Sequence, residues 1–198
     1  SNLVVSRFFT VGAVKGSQER QEMEDKRMAS PSSGAEVLRV KFQRDLNCLG
    51  DQDKATRRQG MKRLVAALQD KKTGELPADL LGQSVASVSL FFTRHLMDVL
   101  VGLFHDDVEY CRENAVKLVL MFAKSVLPAA EKEQKHAPSA IAVLVRRCAP
   151  TIAARIGSTP VAETTEEIRL LLARLITCLA SQDSALPALE GRMELSAE

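Results

Sequence analysis

The residues best equipped for chemistry in this chain fall into four groups. They are three histidines (His95, His105, His136), four cysteines (Cys48, Cys111, Cys148, Cys178), the carboxylate pairs Asp106-Asp107 and Glu166-Glu167, and a basic cluster. The cluster comprises Lys54, Arg57, Arg58, Lys62, Arg63, Lys71 and Lys72. Histidine and cysteine together would make a zinc centre, but such centres place their ligands in closely spaced pairs, and no C-x2-C or H-x3-H spacing occurs here. Each cysteine stands alone inside a helical pattern, as small buried hydrophobes do in a reducing compartment. The acidic pairs open predicted helices, where the helix dipole already favours negative charge, so general acid–base chemistry is not needed to explain them. No nucleophile motif, glycine-rich phosphate loop or dinucleotide fingerprint is present. An enzyme that extrudes a nucleobase needs aromatic side chains to hold it, and aromatics are 4% of the chain with no Trp and one Tyr. The expectation is therefore a non-catalytic protein without cofactor or metal. The basic cluster reads first as a solvated face, and second as a surface for phosphate or an acidic protein.

One constellation recurs along the chain. Leu49-Gly50-Asp51 is followed by Arg57 and Gly60, and Phe104-His105-Asp106 by Arg112 and Ala115. Both fit apolar-x-Asp-x5-Arg-x2-small. A weaker third copy has Glu163 in the Asp position, then Arg169, with Leu172 where the small residue should stand. The arginines lie 55 and 57 residues apart. An Asp at such a turn can cap the following helix or accept from its free amides. The Arg falls in the first turn of that helix, close to its apolar face, so it needs an anionic partner in its own or an adjacent turn. The small residue lets paired helices approach closely.

The elements that position these residues are helical. Hydrophobic residues make up 45% of the chain, and Leu, Ala and Val must supply most of the buried area. Leu38, Phe42, Leu46 and Leu49 form one stripe; Met61, Leu64, Val65 and Leu68 form the next. A long apolar block at 78–104 is one helix or two, with Gly82 and Thr93 as interruptions. The following helix buries Ala115, Leu118, Val119, Phe122 and Val126, with Val116 and Leu120 apolar on a second side, so it is central. After a polar break from Pro128 to Pro138, Ile141, Leu144, Val145, Cys148 and Ile152 mark a helix that Pro150 kinks or splits. The last stripe is Ile168, Leu171, Leu172, Leu175, Ile176 and Leu179. The expected organisation is a flexible arm over 1–36, helix pairs over 37–70, 76–127 and 138–181, and a linker or truncated repeat over 182–198. The chain opens on Ser rather than Met, which reads as a fragment or processed product. Its net charge of +2, from 27 basic and 25 acidic residues, gives no electrostatic reason to expect nucleic acid or an anionic membrane. No run approaches the roughly 18 uncharged apolar residues of a membrane span.

These turns resemble the HEAT repeat family, and within it the HEAT-repeat axonemal dynein assembly factors. The resemblance covers roughly Arg44 to Ala180. It is carried by Arg44-Asp-Leu-Asn-Cys-Leu-Gly-Asp with Ala55-Thr-Arg-Arg, by Asp106-Asp-Val-Glu-Tyr-Cys-Arg, and by Ile152-Ala-Ala-Arg-Ile-Gly with Glu166-Glu-Ile-Arg-Leu-Leu-Leu. The spacing exceeds the ~40–47 residues usual for such units, so insertions are required. The first 36 residues and the short length depart from the family's longer arrays, of which this would be the N-terminal part. What the resemblance implies is an all-α, right-handed α-solenoid of HEAT-like antiparallel helix pairs. It also implies a cytoplasmic scaffold for preassembling dynein arms of cilia or flagella, with dynein intermediate or heavy chains and chaperones as partners. The alternatives are a generic HEAT adaptor in transport, phosphatase or microtubule scaffolding, or less favourably a nucleic-acid-binding relative. The second helix of each pair should line a partner-binding surface through Gln59, Lys62, Arg63, Glu113, Lys117, Lys124, Glu167 and Arg174.

Overall fold

The computed structural model describes residues 31–70, 72–77, 80, 84–129 and 140–182. Among them there is no strand. Helix α1 spans Pro31–Leu49, and α2 spans Lys54–Leu68. Helix α3 runs from Val85 to His105, changing from α (Val85–Phe91) through a π turn (Phe92–Leu96) back to α (Met97–Gly102) and ending in a 3-10 turn (Leu103–His105). Helix α4 opens as Glu109–Met121 and continues through a second π turn, Phe122–Val126, to residue 129. Helices α5 (Ala140–Ile156) and α6 (Glu166–Ala180) complete the described chain.

The helices pack as three pairs, α1 with α2, α3 with α4 and α5 with α6. First helices stack on one another in one layer, α1 on α3 on α5, and second helices in the other, α2 on α4 on α6. The result is an all-α solenoid. Its core is continuous across the pairs and is built of Leu, Val, Met and Phe side chains. At its centre the two π turns meet: Phe92 and Phe122, each opening one of them, stack with ring centroids 4.2 Å apart. Val116, Val119 and Leu120 of α4 are all buried, so this helix is covered on several sides.

Several boundaries differ from the sequence expectation. Helix α1 begins at Pro31, so residues 31–36, expected in the arm, belong to the first helix. Proline is tolerated in a first turn, and Ala35, 2% exposed, extends the stripe of Leu38 and Phe42 by one turn. Residues 1–30 of that arm, and 183–198 at the other end, lie outside the described residues. The block at 78–104 forms one helix from Val85, with Thr93 at the π turn, where its hydroxyl donates to the carbonyls of Ser89 and Leu90. Gly82 lies outside the described residues. Pro150 does not split α5. It faces solvent, and the helix runs on past it to Ile156. Helix α4 passes through Pro128, and most of the polar break that follows is outside the described residues. Ile176, expected to be buried, is 43% exposed. Helix α3 is long and apolar enough to cross a membrane by composition, yet most of it is buried in this core.

Candidate functional site

The acid–arginine turns lie in a row and are joined in one direction. Arg57, in the first turn of α2, donates from Nη1 to the carbonyls of Asp51 and Gln52 in its own turn, at 2.9 and 2.8 Å. Its Nε and Nη2 reach forward to the carboxylate of Asp106 in the next turn, at 2.6 and 3.2 Å. Arg112 repeats this arrangement. Its Nη1 holds the carbonyls of Asp106 and Asp107, and its Nε and Nη2 fork onto Glu163 at 3.1 and 3.2 Å. Arg169 again holds its own turn, donating from Nη1 to the carbonyls of Glu163 and Thr164. Each acid also accepts one amide two residues on: Asp51 from Asp53, Asp106 from Val108, and Glu163 from Thr165. The side chain that caps α2 is Asp53, which accepts from the Thr56 amide. Parallel contacts flank the rungs, Lys54 to Asp107 and the Thr165 hydroxyl to Glu109.

These rungs are shielded from water. The carboxylate of Asp106 is 4% exposed and that of Glu163 is 0%. Burial alone would push the Glu163 carboxyl up; hydrogen bonds from Arg155, the Thr165 amide and Arg112 outweigh it and hold the pKa below its ordinary 4.5. Conversely, the hydrogen bond to Asp106 raises Arg57 above its ordinary value. The small positions serve helix approach. A Cβ on Gly60 would come within 2.7 Å of the Cβ of Cys48 on α1, while Ala115 fills the equivalent place in α4 at 0% exposure. Leu172 takes that place in α6 and is buried.

The eight surface candidates divide by what they touch. Arg63 turns back to α1, donating to Asp45 at 2.6 Å and to the Cys48 sulfur at 3.3 Å. Glu113 and Lys117 pair with each other at 2.6 Å. Gln59, Lys62, Lys124, Glu167 and Arg174 are exposed. Lys62 borders a cleft of about 390 Å³ between α2 and α4, whose wall includes Val65, Gln69 and Tyr110. The Arg58 guanidinium lies over the Tyr110 ring, 5.6 Å from its centroid.

The basic cluster is largely committed. Lys54, Arg57 and Arg63 are each ion-paired, Arg58 covers Tyr110, and Lys71 lies outside the described residues. Lys54, Arg58, Lys62 and Lys72 nonetheless remain exposed, while Arg57 and Arg63 are turned into the fold. Cys111 and Cys148 are buried free thiols, pushed by burial to about 11 and about 12. Such thiols are poor nucleophiles. Among the described residues no three His, Cys, Asp or Glu side chains gather as metal ligands, and His136 lies outside them.

Sequence reasoning missed Arg155, which reaches from α5 to the Glu163 carboxylate as a second cation. It lies eight residues before Glu163. No arginine holds the matching place ahead of Asp51 or Asp106, so the repeat pattern carried no signal for it. Asp45 and Tyr110 were missed because their partners come from neighbouring helices. A family model described as Dynein axonemal assembly factor 5-like, TPR repeats, matches residues 48–187. No curated protein and no solved structure matches the chain. The description speaks of TPR repeats where the turns resemble HEAT; both are antiparallel helix pairs stacked into a solenoid.

Proposed function

The chain belongs to the dynein axonemal assembly factor 5-like family of helical-repeat proteins, and from that premise we propose that it is a non-catalytic scaffold for preassembling axonemal dynein arms in the cytoplasm. The observation that carries this reading is the family match, which spans the helix pairs from the end of α1 through α6. The fold supports it physically. Second helices α2, α4 and α6 lie side by side, and Gln59, Lys62, Lys124, Glu167 and Arg174 remain exposed along them. A ladder of shielded ion pairs fixes the spacing of these helices, so the display is semi-rigid and a client docks with little ordering cost. Dynein intermediate or heavy chains, with chaperones, are the partners of this reading.

The test is recovery of partners from extracts of ciliated or flagellated cells on the full chain. Dynein heavy or intermediate chains are expected. Their reproducible absence, with importins or phosphatase subunits recovered instead, would replace this function by that of a general adaptor. Reversing Lys62 and Lys124 to Glu should lower dynein recovery several-fold with an unchanged unfolding midpoint, because neither makes an ion pair among the described residues and rim charges mainly steer association. Unchanged recovery would remove these lysines from the client surface.

A further inference from the structure

The ladder arginines give the three second helices a common register, and one position in that register is always cationic. Five residues beyond Arg57, Arg112 and Arg169 stand Lys62, Lys117 and Arg174. Neighbouring rows are mixed. The position next to each arginine reads Arg58, Glu113 and Leu170, and the twelfth beyond it reads Gln69, Lys124 and Ser181. Lys62 and Arg174 are exposed, and the Lys117 side chain is 40% exposed. Because α2 packs on α4 and α4 on α6, the row crosses the helices with one cation on each. Neither Lys62 nor Arg174 makes an ion pair among the described residues. Lys117 pairs with Glu113, one turn earlier in its own helix. Such a half-exposed surface pair is weak and exchanges readily for another carboxylate.

Beside Lys62, toward α4, lies the cleft of about 390 Å³, with Val65, Ala66 and Tyr110 in its wall. Asp70 also borders it, but the carboxylate accepts the amides of Lys72 and Thr73 in its own turn. Packed helices lie roughly 8–10 Å apart. A polypeptide in the polyproline-II conformation turns once in three residues and rises about 3.1 Å per residue. Every third side chain therefore returns to the same side after about 9 Å. The two periods match. Carboxylates at every third residue of such a segment meet Lys62, Lys117 and Arg174 in turn, and an apolar side chain near the first enters the cleft.

We infer that this row is the docking track for an extended acidic segment of a partner protein, in polyproline-II form, with Asp or Glu at every third residue. The inference rests on the reading of the second helices as the client surface and names the chemistry that surface takes. A nucleic-acid strand fits less well. Glu109, Glu166 and Glu167 are exposed at the starts of the same helices and repel a uniform polyanion.

Fluorescence anisotropy of the full chain with a labelled peptide of four Glu-Pro-Ala units tests it. Binding should weaken as salt rises. Lys62→Gln and Arg174→Gln should each weaken it about three- to fivefold, with an unchanged unfolding midpoint. Glu113→Gln should tighten it about twofold, because Lys117 is released to the peptide; a merely structural Glu113 gives no such gain. A peptide of the same composition with its glutamates in one block should bind more weakly. Equal binding of the blocked peptide, no gain from Glu113→Gln, tighter binding of an oligothymidine strand, or no binding at millimolar peptide would overturn the inference. No dynein enters this assay, so its failure leaves the family reading to the extract experiment, and absence of dynein there leaves the peptide result standing.

Discussion

Glu163 shows how a single side chain sets the third rung. It is the weak member of the sequence pattern, a Glu where the other turns have Asp, yet it is fully buried and receives two arginines. The longer side chain reaches both Arg112 of α4 and Arg155 of α5, so it ties three elements together. Removing one partner of a buried pair leaves the other charge desolvated, a loss of roughly 3 kcal/mol or more. Glu163→Ala should therefore lower the urea midpoint by that equivalent. Glu113→Ala removes only a half-exposed i, i+4 pair with Lys117 and should cost under about 0.5 kcal/mol. The pH dependence follows from the depressed pKa of Glu163. Its contribution is fully present above the ordinary 4.5 and is lost as pH falls through the lowered folded value. The stability gap between the wild type and Glu163→Gln should accordingly be constant near neutrality and shrink in acid. A gap that widens below pH 4.5 would contradict this assignment.

Among the elements, α1 and α2 owe their close packing to Gly60. Alanine there would gain about 1 kcal/mol in helix propensity but would bring a Cβ within 2.7 Å of Cys48. The obstructing atoms are a Cβ and the Asp45 carbonyl oxygen, not the end of a flexible side chain, so a backbone must shift and a net loss of about 1–3 kcal/mol is expected for Gly60→Ala by chemical denaturation. A stabilised variant would mean that the helices separate more freely than this packing implies. The paired π turns are a second feature at this scale. Each opens on a phenylalanine, and the stacked pair Phe92–Phe122 locks α3 to α4 in the centre of the core. Phe122→Ala should cost about 3–5 kcal/mol, because the surrounding helices cannot close the space.

Across the whole molecule, stability is carried from neighbour to neighbour. Each ladder arginine binds its own turn, and Arg57 and Arg112 also bind the acid of the next, so rungs in contact should couple and separated ones should not. A double-mutant cycle of Arg57→Ala with Asp106→Ala should give a coupling of about 1–3 kcal/mol, while Arg57→Ala with Glu163→Ala should add within about 0.5 kcal/mol. Strong coupling in the second cycle would make the ladder one cooperative block rather than a chain of links. The same nearest-neighbour rule explains why the last pair keeps exposed apolar residues: the positions that α2 and α4 bury against a following pair have no such cover in α6 among the described residues.

Helix identity was legible in the residues because a 3.6-residue apolar period and turn chemistry are local properties. The stripes of Leu38–Leu49, Met61–Leu68 and Ala115–Val126 sit on buried or half-buried faces. So was the acid–arginine spacing, since turn and first helical turn are contiguous in sequence. The expected partner, an acid of the arginine's own or an adjacent turn, was legible as well; that the fork runs forward to the next turn was not. The acid forked by Arg57 lies 49 residues away, and Arg155 enters from α5 at a place where neither of the other turns is preceded by an arginine. Exposure of Ile176 and commitment of Arg63 were equally invisible, because burial and pairing depend on which helix lies alongside. Periodicity assigns a face to every residue; only tertiary packing decides what meets that face, and therefore which charges remain available to a partner.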